Sequence, residues 1–200
     1  LAFQTNMIDK TLTQAIDAVL PQTQCRACGY KDCLAYASAV ANKQAKSNLC
    51  QPGGTKTFVD IERILPSSTS KLDIKIETKL VEIQDDYCVG CTKCLAACPV
   101  DAIYGATDKL HHIIPDLCTG CNLCISLCPT DCIVPSNQDH TTLNPTNNRL
   151  RYLNKKKRLS DEKKEKKSMH QKAKRQRKDY NKDQQARLDY IQSIMLENHE

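Results

Sequence analysis

The chain has 200 residues, a formal net charge of +6 and an aromatic content of only 4%, with two Phe and no Trp. This composition argues against a large conventional hydrophobic core. The sequence shows neither a secretory signal nor the roughly 18–20 apolar residues that a membrane-spanning helix needs. Twelve of its 13 cysteines are spaced as metal ligands are, which favours a reducing cytoplasmic compartment over a secreted disulfide scaffold.

Residues 1–66 are predicted to form a small helical domain. Apolar residues at helical spacing predict a first helix over residues 7–20, which Pro21 ends. An alanine-rich segment predicts a second helix over about residues 33–46. A third is expected over residues 56–65, where apolar residues again share one helical face.

Four cysteines of this domain have the spacing C-x2-C-x4-C-x16-C. They are Cys25, Cys28, Cys33 and Cys50. A C-x2-C pair followed by two more cysteines can hold zinc as well as an iron–sulfur cluster, so the spacing alone leaves both cofactors open.

A predicted linker over residues 67–78 leads to a second domain, residues 79–140, which contains an internal repeat. The first half carries four cysteines with the spacing C-x2-C-x2-C-x3-C followed by proline, and the second half repeats the pattern thirty residues later. The residues are Cys88, Cys91, Cys94, Cys98 and Pro99, then Cys118, Cys121, Cys124, Cys128 and Pro129. This is the spacing of bacterial two-cluster ferredoxins.

The ferredoxin spacing predicts two [4Fe–4S] clusters whose fourth ligands are exchanged between the two halves. One predicted ligand set is Cys88, Cys91, Cys94 and Cys128, and the other is Cys98, Cys118, Cys121 and Cys124. Two-residue gaps let a tight loop offer three thiolates to one side of a cube, and the repeat supplies the fourth thiolate from the opposite side. Electron transfer is therefore the predicted chemistry.

Short strands are predicted over residues 80–83, 102–104, 111–114 and 132–134, with brief helices over residues 93–98 and 122–128. The predicted fold class is thus α+β in this domain and mostly helical elsewhere. Cys132 aligns with Ala102 of the first half, so we expect it to pack in the core without binding a cluster. His111 and His112 are not expected to be ligands either.

Residues 141–200 are predicted to form a basic tail that is helical or partly disordered. Residues 149–200 contain 17 Lys and Arg against 8 Asp and Glu, a net charge of +9, whereas residues 1–148 carry −3. The tail could be a solvated extension, or it could dock to an acidic protein or a membrane surface. No aromatic side chains interleave the basic runs, which argues against a nucleic-acid partner.

The segments around the cysteines resemble the B subunit of the Rnf/Rsx electron-transport complex. The similar segments include LPQTQCRACGY (residues 20–30), CQPGG (50–54), CPVDAI (98–103) and DLCTGCNLC (116–124), and the resemblance covers about residues 8–135. In that family a single-cluster iron–sulfur domain is followed directly by a two-cluster ferredoxin domain. The resemblance therefore implies a third [4Fe–4S] cluster, held by Cys25, Cys28, Cys33 and Cys50.

The resemblance also implies a function. We expect an electron carrier with three [4Fe–4S] clusters and no catalytic residues of its own, which passes single electrons between redox partner proteins. These partners would be a reductase or other Rnf/Rsx-type subunits.

The B subunit of the family usually carries an N-terminal membrane anchor, which this chain, starting at Leu1, does not show. We therefore expect a soluble stand-alone relative with a basic C-terminal extension, in the cytoplasm or at the cytoplasmic face of the inner membrane. One alternative is an anchored subunit of a membrane ion-translocating oxidoreductase complex whose anchor is missing from this sequence. Another is a nucleic-acid-associated iron–sulfur protein that works through its basic tail.

Overall fold

The computed structural model describes residues 2–66, 78–139 and 143–197. Within these residues the fold is mixed helix and strand. The contacts divide the chain into two compact units, one that extends to Lys155 and one that begins at Lys156. The predicted linker over residues 67–78 lies almost wholly outside the described residues.

Three helices form the N-terminal part of the first unit: α1 (Ala2–Val19), α2 (Cys33–Ala41) and α3 (Gly54–Ile64). All three were predicted, but α2 is shorter than expected. It begins where the Asp32 carboxylate accepts a hydrogen bond of 2.7 Å from the Ala35 backbone N–H, as an N-cap should. It ends before Lys43, whose positive φ of 57° is incompatible with a continuing helix.

The core between these helices is small and centres on one aromatic side chain. Tyr36 is 1% exposed and packs in a cluster with Ile16, Leu20 and Ile61. Its hydroxyl donates to the Lys46 carbonyl at 2.9 Å and accepts from the Leu49 N–H at 3.2 Å. The tyrosine therefore fixes the loop that returns Cys50 to the other three cysteines of its set.

The ferredoxin-like part has two small antiparallel sheets. Strand β1 (Lys79–Ile83) pairs with β4 (Ile133–Asp139), and β2 (Ile103–Tyr104) pairs with β3 (His112–Ile113). The register places Ile83 opposite Ile133 and Ile103 opposite Ile113. The strands thereby join the first half of the repeat to the second, and their apolar residues pack in one core with the cluster-loop cysteines.

The two halves of the repeat differ in helix content. Helix α4 (Lys93–Ala97) follows the prediction. The helix predicted over residues 122–128 is reduced to a single 3-10 turn at Ile125–Leu127, so that prediction was wrong in extent. Strand β4 runs to Asp139, beyond the predicted end at residue 134, because β1 offers pairing partners along this length.

A 53-residue helix, α5 (Pro145–Glu197), follows. The sequence explains why the helix begins at Pro145. Proline has no N–H that would need a partner in the first turn, and the Asn144 side chain accepts a hydrogen bond of 3.0 Å from the Asn147 N–H. In the second unit the side chains from Lys156 to Met195 are exposed. Among the described residues, no helix combines the length and apolar character needed to cross a membrane.

Candidate iron–sulfur cluster sites

The first cavity, cavity A, is lined by four cysteines. Three of them, Cys88, Cys91 and Cys94, come from the first cysteine run, and Cys128 comes from the second. The other lining residues are Ile83, Val89, His111, Thr130, Cys132 and Ile133. This is the first exchanged set that the ferredoxin spacing predicts.

The second cavity, cavity B, is lined by the complementary set. Its cysteines are Cys118, Cys121 and Cys124 from the second run and Cys98 from the first. The remaining lining residues are Val81, Ala102, Ile103, Ile113, Thr119 and Asn122. The structure thus brings together both predicted groups of four.

The loops around the two cavities have the same backbone conformation. Gly90 and Gly120 have φ values of 69° and 63°, and Thr92 and Asn122 have φ values of 61° and 60°. These left-handed residues curl the chain between consecutive cysteines, which turns three thiols toward one point. The local geometry is therefore a property of the repeat.

The N-terminal cysteines form a third group. Cys33 starts α2, and its N–H donates to the Gln24 side chain at 2.9 Å. Burial and the neighbouring thiolates of Cys33, Cys25 and Cys28 raise the pKa of Cys50 to about 12. Cys28 and Cys33 pack against the same hydrophobic cluster that contains Cys50, so the helices bring these cysteines together.

Burial governs the protonation of most of these thiols. It raises the pKa of Cys25, Cys33 and Cys94 to about 11, and that of Cys121 and Cys124 to about 12. Thiols with such pKa values are neutral at pH 7. Because iron binds thiolates, cluster incorporation must release their protons.

Cys128 is the exception. Burial acts to raise its pKa, but hydrogen bonds from Thr130 and Cys132 outweigh that effect and lower the pKa to about 7. The sulfur of Cys128 lies 3.6 Å from the Thr130 hydroxyl and 3.3 Å from the sulfur of Cys132. Cys132 is buried in the core, as predicted, but it also faces cavity A.

His111 was not predicted to take part in the site, yet it lines cavity A. Its ring is 1% exposed, and Nδ1 lies 3.5 Å from the sulfur of Cys94 and 3.7 Å from that of Cys88. The repeat contains a sequence signal for His111, because its counterpart thirty residues earlier is Val81, which lines cavity B.

The N-terminal group lies near cavity B. The charge of Cys25 contributes to the raised pKa of Cys121, after burial and the counteracting Leu123 hydrogen bond.

Among the described residues, no group of three or more His, Cys, Asp or Glu side chains has the arrangement of a site for a single metal ion. Four soft thiol ligands per cavity are the donor set that iron–sulfur cubes require.

These features define an iron–sulfur protein with a ferredoxin-type domain. Residues 81–134 match the family model described as "4Fe-4S dicluster domain", and residues 20–52 match the one described as "Putative Fe-S cluster". The two matches cover the two cavities and the N-terminal cysteine group.

The relatives make the class more specific. The chain is 49% identical over 107 residues to the B subunit of the ion-translocating oxidoreductase complex of Vibrio atlanticus, covering 52% of this chain and 53% of the relative. It is 43% identical over 106 residues to the protein of the same name in a Shewanella species, covering 52% and 54%. Over about half its length the chain is therefore homologous to the Rnf/Rsx B subunit, as its motifs predict.

The chain spans about half the length of the curated relatives that it matches. No solved structure gives a significant match.

Proposed function

We propose that this protein is a one-electron carrier with three [4Fe–4S] clusters. The observation that carries the proposal is the exchange of cysteines, since each cavity is lined by three cysteines of one run and the fourth of the other. Bound cubes would each accept and release one electron. The chain's own part is to supply thiolates, exclude water and set the polarity around the sulfurs.

The N-terminal group of Cys25, Cys28, Cys33 and Cys50 would hold the third cube. Its support is the packing of Cys28 and Cys33 against the cluster that contains Cys50, and the match of residues 20–52 to an iron–sulfur family model. Electrons would pass between the two ferredoxin clusters and on to or from this site.

Metal analysis of anaerobically purified protein tests the cluster count. We expect about twelve iron and twelve acid-labile sulfide per chain, since each cube contains four of each. Eight of each together with one bound zinc would remove the N-terminal cluster from the proposal. If all three cubes are present, electron paramagnetic resonance (EPR) of the reduced protein should show three interacting centres.

The partners of the relatives suggest partners for this chain. Their name places them in an ion-translocating oxidoreductase complex. We infer that this chain exchanges electrons with a reductase or with other subunits of such a complex, at the cytoplasmic face of a membrane. Sequencing upstream of the Leu1 codon would distinguish an anchored subunit, which requires a span of about 20 apolar residues, from a stand-alone relative.

The second unit offers a docking surface for an acidic partner. At 100° per residue, the helix segregates its charges over residues 156–182. One half of its circumference, the basic face, carries eleven basic and no acidic side chains: Lys156, Lys157, Lys163, Lys164, Lys166, Lys167, Lys174, Arg175, Arg177, Lys178 and Lys182. Asp161, Glu162, Glu165 and Asp179 lie on the opposite half. No apolar stripe accompanies the basic face, so we propose an acidic protein surface as its partner.

A further inference from the structure

Cavities A and B are copies related by the thirty-residue repeat, so each lining residue has a counterpart in the other half. Most counterparts are chemically alike. Three positions are polar beside cavity A where their counterparts are apolar: His111, Thr130 and Cys132 correspond to Val81, Val100 and Ala102. All three polar side chains lie beside sulfur atoms of the cavity A cysteines.

His111 is held in place by its surroundings. A side chain at Gly105 would have its Cβ only 2.3 Å from Cδ2 of the His111 ring, so only glycine leaves room for the imidazole there. The buried Nδ1 faces the Cys94 sulfur at 3.5 Å, while Nε2 is buried and has no hydrogen-bond partner among the described residues. A cluster-bound thiolate can only accept a hydrogen bond, so the Nδ1 atom must carry the proton.

Cys132 makes a similar contact with the exchanged ligand. Its sulfur is 3% exposed and lies 3.3 Å from the sulfur of Cys128. With Cys128 bound to iron as a thiolate, the S–H group of Cys132 becomes the donor. The Thr130 hydroxyl lies 3.6 Å from the same sulfur.

Cavity B lacks most of these donors. Its exchanged ligand, Cys98, accepts a hydrogen bond of 3.2 Å from the Ala102 backbone N–H, but the methyl group of Ala102 offers nothing further. The Val81 backbone N–H donates to the Cys118 sulfur, but the Val81 side chain has no donor where cavity A has the His111 ring. Two polar side chains other than cysteine, Thr119 and Asn122, line cavity B, and Thr119 lies beside Cys121 at a position where cavity A has Val89. The charge of the buried Lys155, near the Cys98 carbonyl, is paired with Asp101 at 3.2 Å.

We infer that His111 and Cys132 make the cluster of cavity A the higher-potential member of the ferredoxin pair. Reduction adds one negative charge to a cube and its thiolates, and donors aimed at the sulfurs stabilise that charge. This inference rests on the proposed function, since both cavities must hold cubes. An electron that enters through cavity B would then come to rest in cavity A.

An EPR-monitored redox titration of the full-length anaerobic protein, with dithionite as reductant, tests the inference. The wild type should show two distinct midpoints for the ferredoxin pair, and the cavity A signal is the one that Cys94→Ser alters. His111→Val with Cys132→Ala should lower the cavity A midpoint and leave the cavity B midpoint in place. We expect the equilibrium constant for electron transfer from the cavity B cluster to the cavity A cluster to fall about tenfold, which corresponds to a change of about 59 mV in the difference between their midpoints.

Conservative and reciprocal variants separate potential tuning from a structural role. His111→Asn keeps an N–H near the position of Nδ1 and should retain most of the wild-type midpoint. Ala102→Cys adds the missing donor to cavity B and should raise the lower midpoint. If His111→Val loses iron, Cys132→Ala alone supplies the test, because it removes only one sulfur atom.

Equal midpoints in the wild type, or an unchanged cavity A midpoint in the variants, would overturn the inference while the proposed function stands. A wild-type protein without cubes by iron and sulfide analysis would instead remove the proposed function itself.

Discussion

The Nζ atom of Lys155 lies 2.6 Å from the carbonyl oxygen of Cys98, so the start of α5 contacts the segment that carries an exchanged cluster ligand. The same ammonium group donates to the carbonyl oxygens of Leu95 and Ala96 at 2.7 Å and 3.2 Å. These carbonyls belong to the C-terminal end of α4, where a helix leaves acceptors unsatisfied. Lys155 therefore caps the C-terminal end of α4, the helix that contains Cys94.

Replacing Lys155 with Met should destabilise the protein by about 2 kcal/mol, because buried carbonyl oxygens and Asp101 lose their partner. The free energy of unfolding of the anaerobic protein, from a denaturant titration, measures the effect. Lys156→Met is the matched control: its side chain is exposed, and we expect a change within about 0.5 kcal/mol. Equal effects of the two substitutions would contradict a capping role.

The position at which the tail is truncated should decide whether the clusters survive. Asn148 donates to the Pro21 carbonyl at 2.9 Å, Arg149 pairs with Asp17, and Arg151 donates to the Val100 carbonyl at 2.6 Å. A chain that ends at Lys155 keeps all of these contacts and should retain its iron.

A chain that ends at residue 147 loses them and should release its clusters faster in the presence of a chelator. Bleaching of the visible cluster absorbance would show the difference. Similar bleaching rates for both truncations would mean that the start of α5 contributes little.

Much of this arrangement could be predicted from the sequence, because cysteine spacing and helical periodicity are local signals. The three N-terminal helices and the short strands follow from local patterns, and the exchange of Cys98 and Cys128 follows from the ferredoxin spacing of the repeat. The pairing of the strands was not predicted. The contacts of Lys155 could not be predicted in this way. A lysine in a basic segment looks like a solvated residue, and only the tertiary fold places it beside the carbonyls of α4.

His111 shows a different kind of limit. The repeat identifies the position as unlike its counterpart Val81, but periodicity does not tell which cavity the ring faces. Its placement depends on the antiparallel pairing of β2 with β3 and on the space that Gly105 leaves.

Alanine substitutions at two glycines of the cluster loops, Gly90 and Gly29, should differ in their cost. A Cβ atom at Gly90 would lie 2.6 Å from the Lys109 backbone nitrogen and 2.7 Å from the Asp108 Cα, whereas one at Gly29 would meet nothing within 4 Å. Both glycines have positive φ, so alanine costs about 1 kcal/mol at either site for conformation alone.

Gly90→Ala should cost clearly more than Gly29→Ala, because backbone atoms cannot move aside as a flexible side chain can. Iron content after purification and the denaturation midpoint measure both effects. Comparable losses for the two variants would contradict close packing at Gly90.

The exchange of fourth ligands predicts which cluster each cysteine affects. Cys98→Ser should impair the cluster of cavity B, which Cys118, Cys121 and Cys124 also line, although Cys98 follows Cys94 in the sequence. EPR of the reduced variant should show a normal cavity A signal and an altered cavity B signal. Cys128→Ser is the reciprocal variant and should give the opposite result. Loss confined to cavity A in Cys98→Ser would show that the ligands are not exchanged.

The basic face should control encounter with an acidic redox partner. Long-range attraction between opposite charges speeds association, and salt screens it over about 8 Å at physiological ionic strength. A chain that ends at Lys155 should accept electrons from dithionite at the wild-type rate but exchange them more slowly with its partner at low salt. The difference should vanish as the salt concentration rises.

A charge-matched variant makes the test specific to the basic face. Replacing Lys163, Lys167 and Lys174 with Gln removes three charges from this face. Replacing Arg158, Lys172 and Arg187, which lie outside it, with Gln removes the same number and is the control. Only the first set should slow the exchange if the face docks as a unit. Equal slowing by both sets would indicate net charge alone. Salt-dependent binding to duplex DNA that is lost with residues 156–200 would favour the nucleic-acid alternative instead.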